Sequence, residues 1–254
     1  MSLRNILIFI LVMFASTAGA VSWQELLEQG SRAQRSGNYV EAEQRFRQAL
    51  ELQPDNAQVY VALGNLLRQQ EKIPQAIAML SRAIELAPDN ASAHIYLALA
   101  RYERVSDRRE LGLVIDGLRQ GISLDPRNGL AYYYLGALLS DQGNLEEAIA
   151  AYRTALELGE RTSLVYYYLG NTLSDQGNLE EAIAAYRQAL SLPDYPSHQP
   201  APVHAMAHNG IGEVLLRQGQ VTAAAREFQS AVGIAPRFFA AWHNLSEIQK
   251  LRPN

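Results

Sequence analysis

The 254-residue sequence has no cysteine, which excludes disulfide staples, thiol nucleophiles and acylation of an N-terminal cysteine. It also lacks an excess of basic charge: 22 Lys and Arg stand against 26 Asp and Glu. Nucleic acid is thereby disfavoured as a partner, because phosphate binding needs a concentrated basic face. Catalytic motifs are missing too. There is no H-E-x-x-H and no G-x-x-x-x-G-K-[ST], and Gly210-Ile211-Gly212 lacks the third glycine and preceding strand of a dinucleotide fingerprint. Alternating β-branched runs are few, whereas Ala, Leu, Gln and Tyr are abundant, so the composition favours an all-α chain.

The first twenty residues differ in kind. Arg4 precedes an apolar run from Ile6 to Phe14, followed by Ala18-Gly19-Ala20. This pattern predicts a secretory signal peptide over residues 1–20 with cleavage before Val21, and hence an exported periplasmic, lumenal or extracellular protein. The run falls short of the roughly 20 apolar residues of a spanning helix, so contact with a membrane is expected only in transit, retention as an uncleaved anchor being the alternative. Without Arg4 the 22 bases become 21 against 26 acids, a net charge of about −5. The excess is local: residues 129–192 hold eight acids and three bases.

The dominant signal is an internal repeat. YYYLGALLSDQGNLEEAIAAYRTAL at Tyr132–Leu156 recurs 34 residues later as YYYLGNTLSDQGNLEEAIAAYRQAL at Tyr166–Leu190, with three differences. The same frame fits Tyr60, Leu63, Gly64, Ala76, Leu80, Ala83 and Pro88. It fits Leu26, Gly30, Gly37, Ala42, Phe46, Ala49 and Pro54 before them, and His208, Gly212, Gly219, Ala224, Phe228, Ala231 and Pro236 after them. A bulky residue followed by Leu-Gly puts bulk and a smooth spot on one face of a first helix, for which a small Ala on the second helix forms the matching notch. Gln142-Gly143-Asn144 and Gln176-Gly177-Asn178 supply turns between the two helices. The unit is an antiparallel helical hairpin.

These residues resemble the tetratricopeptide repeat, whose 34-residue helix-turn-helix pattern they match. The resemblance implies a right-handed superhelical solenoid over residues 21–254, with repeats at about 23–56, 57–90, 91–128, 129–162, 163–204 and 205–238 and a capping helix over 239–251. Two units depart from the frame. The third carries Val105–Glu110 where a tight turn belongs and places Ala98 and Gly121 where Gly and Ala are usual, so a longer hairpin is expected. The fifth is followed by Pro193–Pro202, whose four prolines break the helix and leave a hinge or a projecting loop.

The family binds peptides with its first helices. Carried over residue by residue, the resemblance assigns Gln58, Val61, Asn65, Arg68 and Gln69, then Ile95, Leu99, Tyr102 and Glu103 to the groove. It adds Tyr133, Ala137, Ser140 and Asp141, the repeat-equivalent Tyr167, Asn171, Ser174 and Asp175, and finally Asn209, Glu213 and Arg217. Tyrosines can anchor a ligand and Asn can grip a backbone with donor and acceptor together. Tyr132 and Tyr166 are expected inside the stack and Tyr133 and Tyr167 on the ligand side. One subfamily clamps a C-terminal carboxylate with a Lys one turn before the Asn; Asn65 and Asn171 match, but Val61 and Tyr167 stand where that Lys belongs, which disfavours a chaperone-tail receptor.

The implied partner is another polypeptide, with no cofactor, no metal and no catalysis. His204 and His208 share a helix face with His198 nearby, but no closed ligand set accompanies them. Arg101, Arg104 and Arg108 are interleaved with Glu103, Asp107 and Glu110, the pattern of a solvated, salt-bridged face. Two other classes compete with an adaptor: a self-associating structural subunit, and a carbohydrate module using Asp141 and Asp175 as acids, although duplicated acids look copied rather than paired for catalysis.

Overall fold

A computed structural model describes residues 21–104, 108–195 and 201–251, and among these residues it is entirely helical. Residues 1–20, with the proposed cleavage point, lie outside the described residues, as do 105–107 of the insertion and 196–200 of the proline-rich connector. Thirteen helices are described. In order they are α1 (Trp23–Arg35), α2 (Tyr39–Leu52), α3 (Ala57–Gln69), α4 (Ile73–Leu86), α5 (Ala91–Tyr102), α6 (Arg108–Leu124), α7 (Gly129–Asp141), α8 (Leu145–Glu157), α9 (Ser163–Gln176), α10 (Leu179–Ser191), α11 (Val203–Arg217), α12 (Val221–Ile234) and α13 (Phe239–Leu251). They fall into two compact units that divide between Leu124 and Asp125. The first holds three hairpins, α1–α2, α3–α4 and α5–α6. The second holds α7–α8, α9–α10 and α11–α12, with α13 packed on the last of these.

Within a hairpin the odd-numbered helix contributes a glycine and the even-numbered helix a large side chain sixteen residues later. A Cβ on Gly30 would lie 2.5 Å from the Phe46 ring, on Gly64 2.6 Å from Leu80, on Gly136 2.9 Å from Tyr152, on Gly170 2.7 Å from Tyr186 and on Gly212 2.5 Å from Phe228. The bare backbone thus serves as a seat for a ring or a Leu, rather than for the small Ala that the sequence suggested as its counterpart. Ala42, Ala76, Ala148, Ala182 and Ala224 are fully buried in their own right.

Helix starts follow from a recurring tripeptide. Pro54-Asp55-Asn56, Pro88-Asp89-Asn90 and Pro126-Arg127-Asn128 each place a helix-terminating proline two residues before an N-cap. The Asn56, Asn90 and Asn128 side chains accept from the amides of Val59, Ala93 and Ala131 at 3.2, 3.0 and 3.1 Å. Asn144 and Asn178 also stand at N-cap positions, yet their amides turn back to donate to Gln142 and Gln176 and make no cap bond.

The turn inside a hairpin needs a positive φ, which Gly143 and Gly177 take at 82° and 93°. In the second hairpin Glu71 holds that place at φ 59°. A Cβ is strained there, so Glu71→Gly is expected to raise stability by up to about 1 kcal/mol, read as a higher denaturant midpoint. A lower midpoint would show that the Glu71 side chain contributes more than its strain costs.

The third hairpin keeps a close approach with the small residues exchanged between helices. A Cβ on Gly121 would meet Ile95 Cγ1 at 2.4 Å, and one on Gly117 would meet the Ala98 Cβ at 3.2 Å. Its second helix runs 17 residues, against 13 or 14 in the other hairpins.

Candidate functional site

The groove residues of the first unit are largely committed to one another. Arg68 on α3 donates to Asn65 Oδ1 at 3.2 Å through Nη2 and forms an ion pair with Glu103 beyond the end of α5. Tyr102 is half-buried on α5. Val61, Ile95 and Leu99, assigned to the groove by the resemblance, are buried in the core instead; Ile95 and Leu99 are each 1% exposed. Ile95 turns inward because Gly121 leaves it room.

In the second unit α7, α9, α11 and α13 present a row of polar side chains. The neighbouring helices are joined at three places. Ser140 Oγ on α7 lies 3.0 Å from Thr172 Oγ1 on α9, and Thr172 also donates to the Tyr168 carbonyl at 2.8 Å. Arg217 on α11 reaches back to α9, donating to the Ser174 carbonyl at 2.7 Å and to its hydroxyl at 2.9 Å. Asn244 on α13 donates to Asn209 Oδ1 at 3.0 Å and to Glu213 Oε1 at 2.9 Å, while Asn209 itself donates to Glu213 at 2.7 Å. Each such bond contributes on the order of 1 kcal/mol net, and together they fix the spacing of the helices.

Ser140, Ser174 and Asn209 are therefore joints between hairpins. Asn209, expected to touch a ligand directly, is only 7% exposed. Its amide is spent on Glu213 and its oxygen on Asn244, so it positions the exposed Glu213 and is itself mostly covered.

Beneath this face runs a ladder of tyrosines. The Tyr133 ring lies 4.8 Å from Tyr134, 6.2 Å from Tyr168 and 6.3 Å from Tyr152, and Tyr167 lies 5.4 Å from Tyr168 and 6.1 Å from Tyr186. Tyr133 and Tyr167 were expected to present their rings to a ligand; they are half-buried and pack on neighbouring rings, because three consecutive tyrosines span too wide an arc of the helix for one side to take them all. Burial raises the Tyr133 phenol, with its tyrosine neighbours adding to the effect. Burial likewise raises Tyr167, a shift opposed by its hydrogen bond with Asn171.

Tyr186 was not singled out from the sequence. The ring passes between α9 and α11, since Cβ atoms on Gly170 and Gly210 would lie 2.7 and 2.6 Å from it. Its hydroxyl emerges beside the polar row and donates to Asn171 Oδ1 at 2.7 Å. Desolvation pushes this phenol up, Tyr167, Glu213 and Asp175 push it further, and Arg217 opposes them. The pair Gly210 and Gly212, one seating Tyr186 and the other Phe228, was the available signal.

Half-buried Asn171 thus accepts from the Tyr186 hydroxyl, and the charges of exposed Asp175, Glu213 and Arg217 act on it. Asp141 is exposed at the equivalent end of α7. Two of the three differences between the 25-residue copies lie on the odd helices: Ala137 becomes Asn171 and the buried Leu138 becomes the buried Thr172. Both introduce the hydrogen bonds just described.

Three family models, each for the tetratricopeptide repeat (TPR), match residues 33–104, 127–193 and 167–237. The chain is built of tetratricopeptide repeats. YrrB, a TPR protein with an unusual peptide-binding site, is 22% identical at a TM-score of 0.64, over 78% of this chain and 96% of its own. The pilF protein of Pseudomonas aeruginosa is 16% identical at a TM-score of 0.73, over 91% and 97% of the two chains. MamA is 23% identical at 0.53, over 66% and 90%. At such identities the likeness is one of fold. No curated protein matches the sequence.

His198 lies outside the described residues, and His204 and His208 have separate partners. His204 Nε2 lies 2.8 Å from the Leu192 carbonyl oxygen, and His208 Nδ1 lies 2.7 Å from Glu227. Among the described residues no group of three potential metal ligands occurs, and no helix is long and apolar enough to cross a membrane.

Proposed function

We propose that this TPR chain is a non-catalytic scaffold that receives an extended segment of a partner protein on the odd-helix face of its second unit. The observation that supports this reading most strongly is the divergence of the duplicate repeats at Asn171. That substitution adds an amide with donor and acceptor beside Asp175, Glu213 and Arg217, at the centre of a face whose helices are held at fixed spacing. An amide so placed can pair with a peptide backbone, and the flanking carboxylates suit a Lys or Arg of the partner. Of the other residues assigned from sequence, Asp141 and Asp175 steer the approach and Tyr133 and Tyr167 form an apolar floor. Ser140, Ser174 and Asn209 hold the geometry. Asn65 and Arg68 pair with each other on the first unit, and Tyr102 is half-buried on α5.

The partner co-purified from the native host, once identified, provides the assay. Asn171→Ala combined with Glu213→Gln is expected to weaken its binding at least tenfold, about 1.4 kcal/mol, with helicity unchanged. Full affinity in the double variant would move the site elsewhere. We propose as well that the scaffold works on the exported side of a membrane, a reading supported by Arg4, the Ile6–Phe14 run and Ala18-Gly19-Ala20. A mature mass starting at Val21 is expected from the exporting host; a protein retaining residues 1–20 would overturn that assignment.

A further inference from the structure

The connector after α10 was expected to be a hinge or a projecting loop; its described ends, on either side of residues 196–200, pack on the second unit. The backbone amide of Tyr195 donates to Ser163 Oγ at 3.0 Å. Ser163 is the first residue of α9 and is 1% exposed, so this hydroxyl is held in place and has little access to water. On the other side of the connector Ala201 is buried, in one cluster with Leu164, Val203, Ala205 and Met206, against which Tyr133, Tyr167 and Tyr168 pack. The Tyr195 side chain is 42% exposed.

The chemistry of this contact is that of a bound peptide. Residues 193–195 are non-helical, and Pro193 has no amide of its own to satisfy. The amide of Tyr195 is gripped by a side chain of a groove helix, while the Tyr195 ring is left partly exposed. A side chain holding an extended backbone, with a pocket for alternate side chains, is how peptide grooves obtain affinity and specificity together.

We propose that Pro193–Tyr195 is a tethered internal ligand that occupies the α7–α9 end of the odd-helix face. An external segment then binds at the α9–α11 end, around Asn171 and Glu213, and gains the α7–α9 end only by displacing Tyr195. A displacing segment carries an aromatic residue in extended, proline-flanked backbone, the chemistry that Tyr195 now supplies. Tethering makes the effective concentration of the internal segment high, so a weak contact is enough to hold this end against a free competitor. This inference rests on the reading of the odd-helix face as a peptide groove.

The probe is a fluorescently labelled synthetic peptide with the sequence of residues 191–202, added to the full chain and followed by anisotropy. The Tyr195→Ala chain is expected to bind it at least tenfold more tightly than the unaltered chain, and a peptide with Ala in place of its Tyr is expected to bind neither. Equal affinity for the two chains would overturn the proposal. The unaltered chain gives an independent reading through the exchange rate of the Tyr195 amide by nuclear magnetic resonance. That amide is expected to be protected and to lose protection in Ser163→Ala; fast exchange in the unaltered chain contradicts the anchoring. If Tyr195→Ala gains nothing while Asn171→Ala with Glu213→Gln still weakens the natural partner, the internal ligand falls and the groove stands.

Discussion

Gly170→Leu is expected to destabilise the protein by at least about 2 kcal/mol and to damage the candidate site in the same stroke. A Cβ there would lie 2.7 Å from Cδ1 and Cε1 of Tyr186, with little room to retreat, because the ring also sits so close to Gly210 that a Cβ there would lie 2.6 Å from it. Moving the ring also pulls its hydroxyl from Asn171, now 2.7 Å away. Gly112 supplies the control: nothing lies within 4 Å of its would-be Cβ, it sits inside α6, and Gly112→Ala is expected to stabilise by up to about 1 kcal/mol. Denaturant midpoints of the two variants, moving in opposite directions, check the assignment. An unchanged midpoint for Gly170→Leu would mean that the hairpin contact has been misplaced.

Alkaline pH should unfold the second unit. Burial holds the phenols of Tyr133, Tyr167 and Tyr186 above the ordinary tyrosine value in the folded chain. The contribution of these groups is fully present below the unfolded value, about pH 10, and is lost as pH rises beyond it, since only the unfolded chain then releases the protons. Each phenol so held costs about 1.4 kcal/mol per pH unit above that point, and Tyr133 and Tyr186 together about 3 kcal/mol. Helicity by circular dichroism and tyrosinate absorbance should change together above pH 10, and Tyr186→Phe should shift the transition upward. Ionisation of all the tyrosines near pH 10 with helicity intact would contradict the buried ladder.

The hairpins were legible in the sequence because their signal is local and repeated. A bulky residue, a Leu-Gly step and a turn glycine recur every 34 residues, and the Leu-Gly step is what allows the Gly136 and Gly170 contacts. The joints between hairpins were not legible. Ser140, Ser174 and Asn209 were recognised as residues of the odd helices facing one way, but a repeat frame does not say which side chain of the next helix each will meet. That depends on the rotation between neighbours, which here brings Arg217 to Ser174 and Asn244 to Asn209. Val61, Ile95 and Leu99 show the same limit from the other side: their frame positions are groove positions, yet their apolar chains pack inward. The tyrosine triplets misled for a simpler reason, since three adjacent large side chains cannot be sorted into core and surface by a period of 3.6 alone. The connector was readable only as a break in helix, because proline marks where a helix stops and leaves open where the chain goes next.

The most direct test of a partner-binding odd-helix face is site-specific photo-crosslinking in the native host from two exposed positions of one hairpin. A photoreactive residue at Asp175 on α9 follows Ser174, which Arg217 of α11 holds, whereas one at Arg187 on α10 stands on the second helix of the pair. A single partner captured from position 175 and not from position 187, with capture lost when Asn171→Ala and Glu213→Gln are added, is the result predicted. Capture of that partner from position 187 with none from position 175 would place the binding surface on the opposite side of the hairpin and contradict the account.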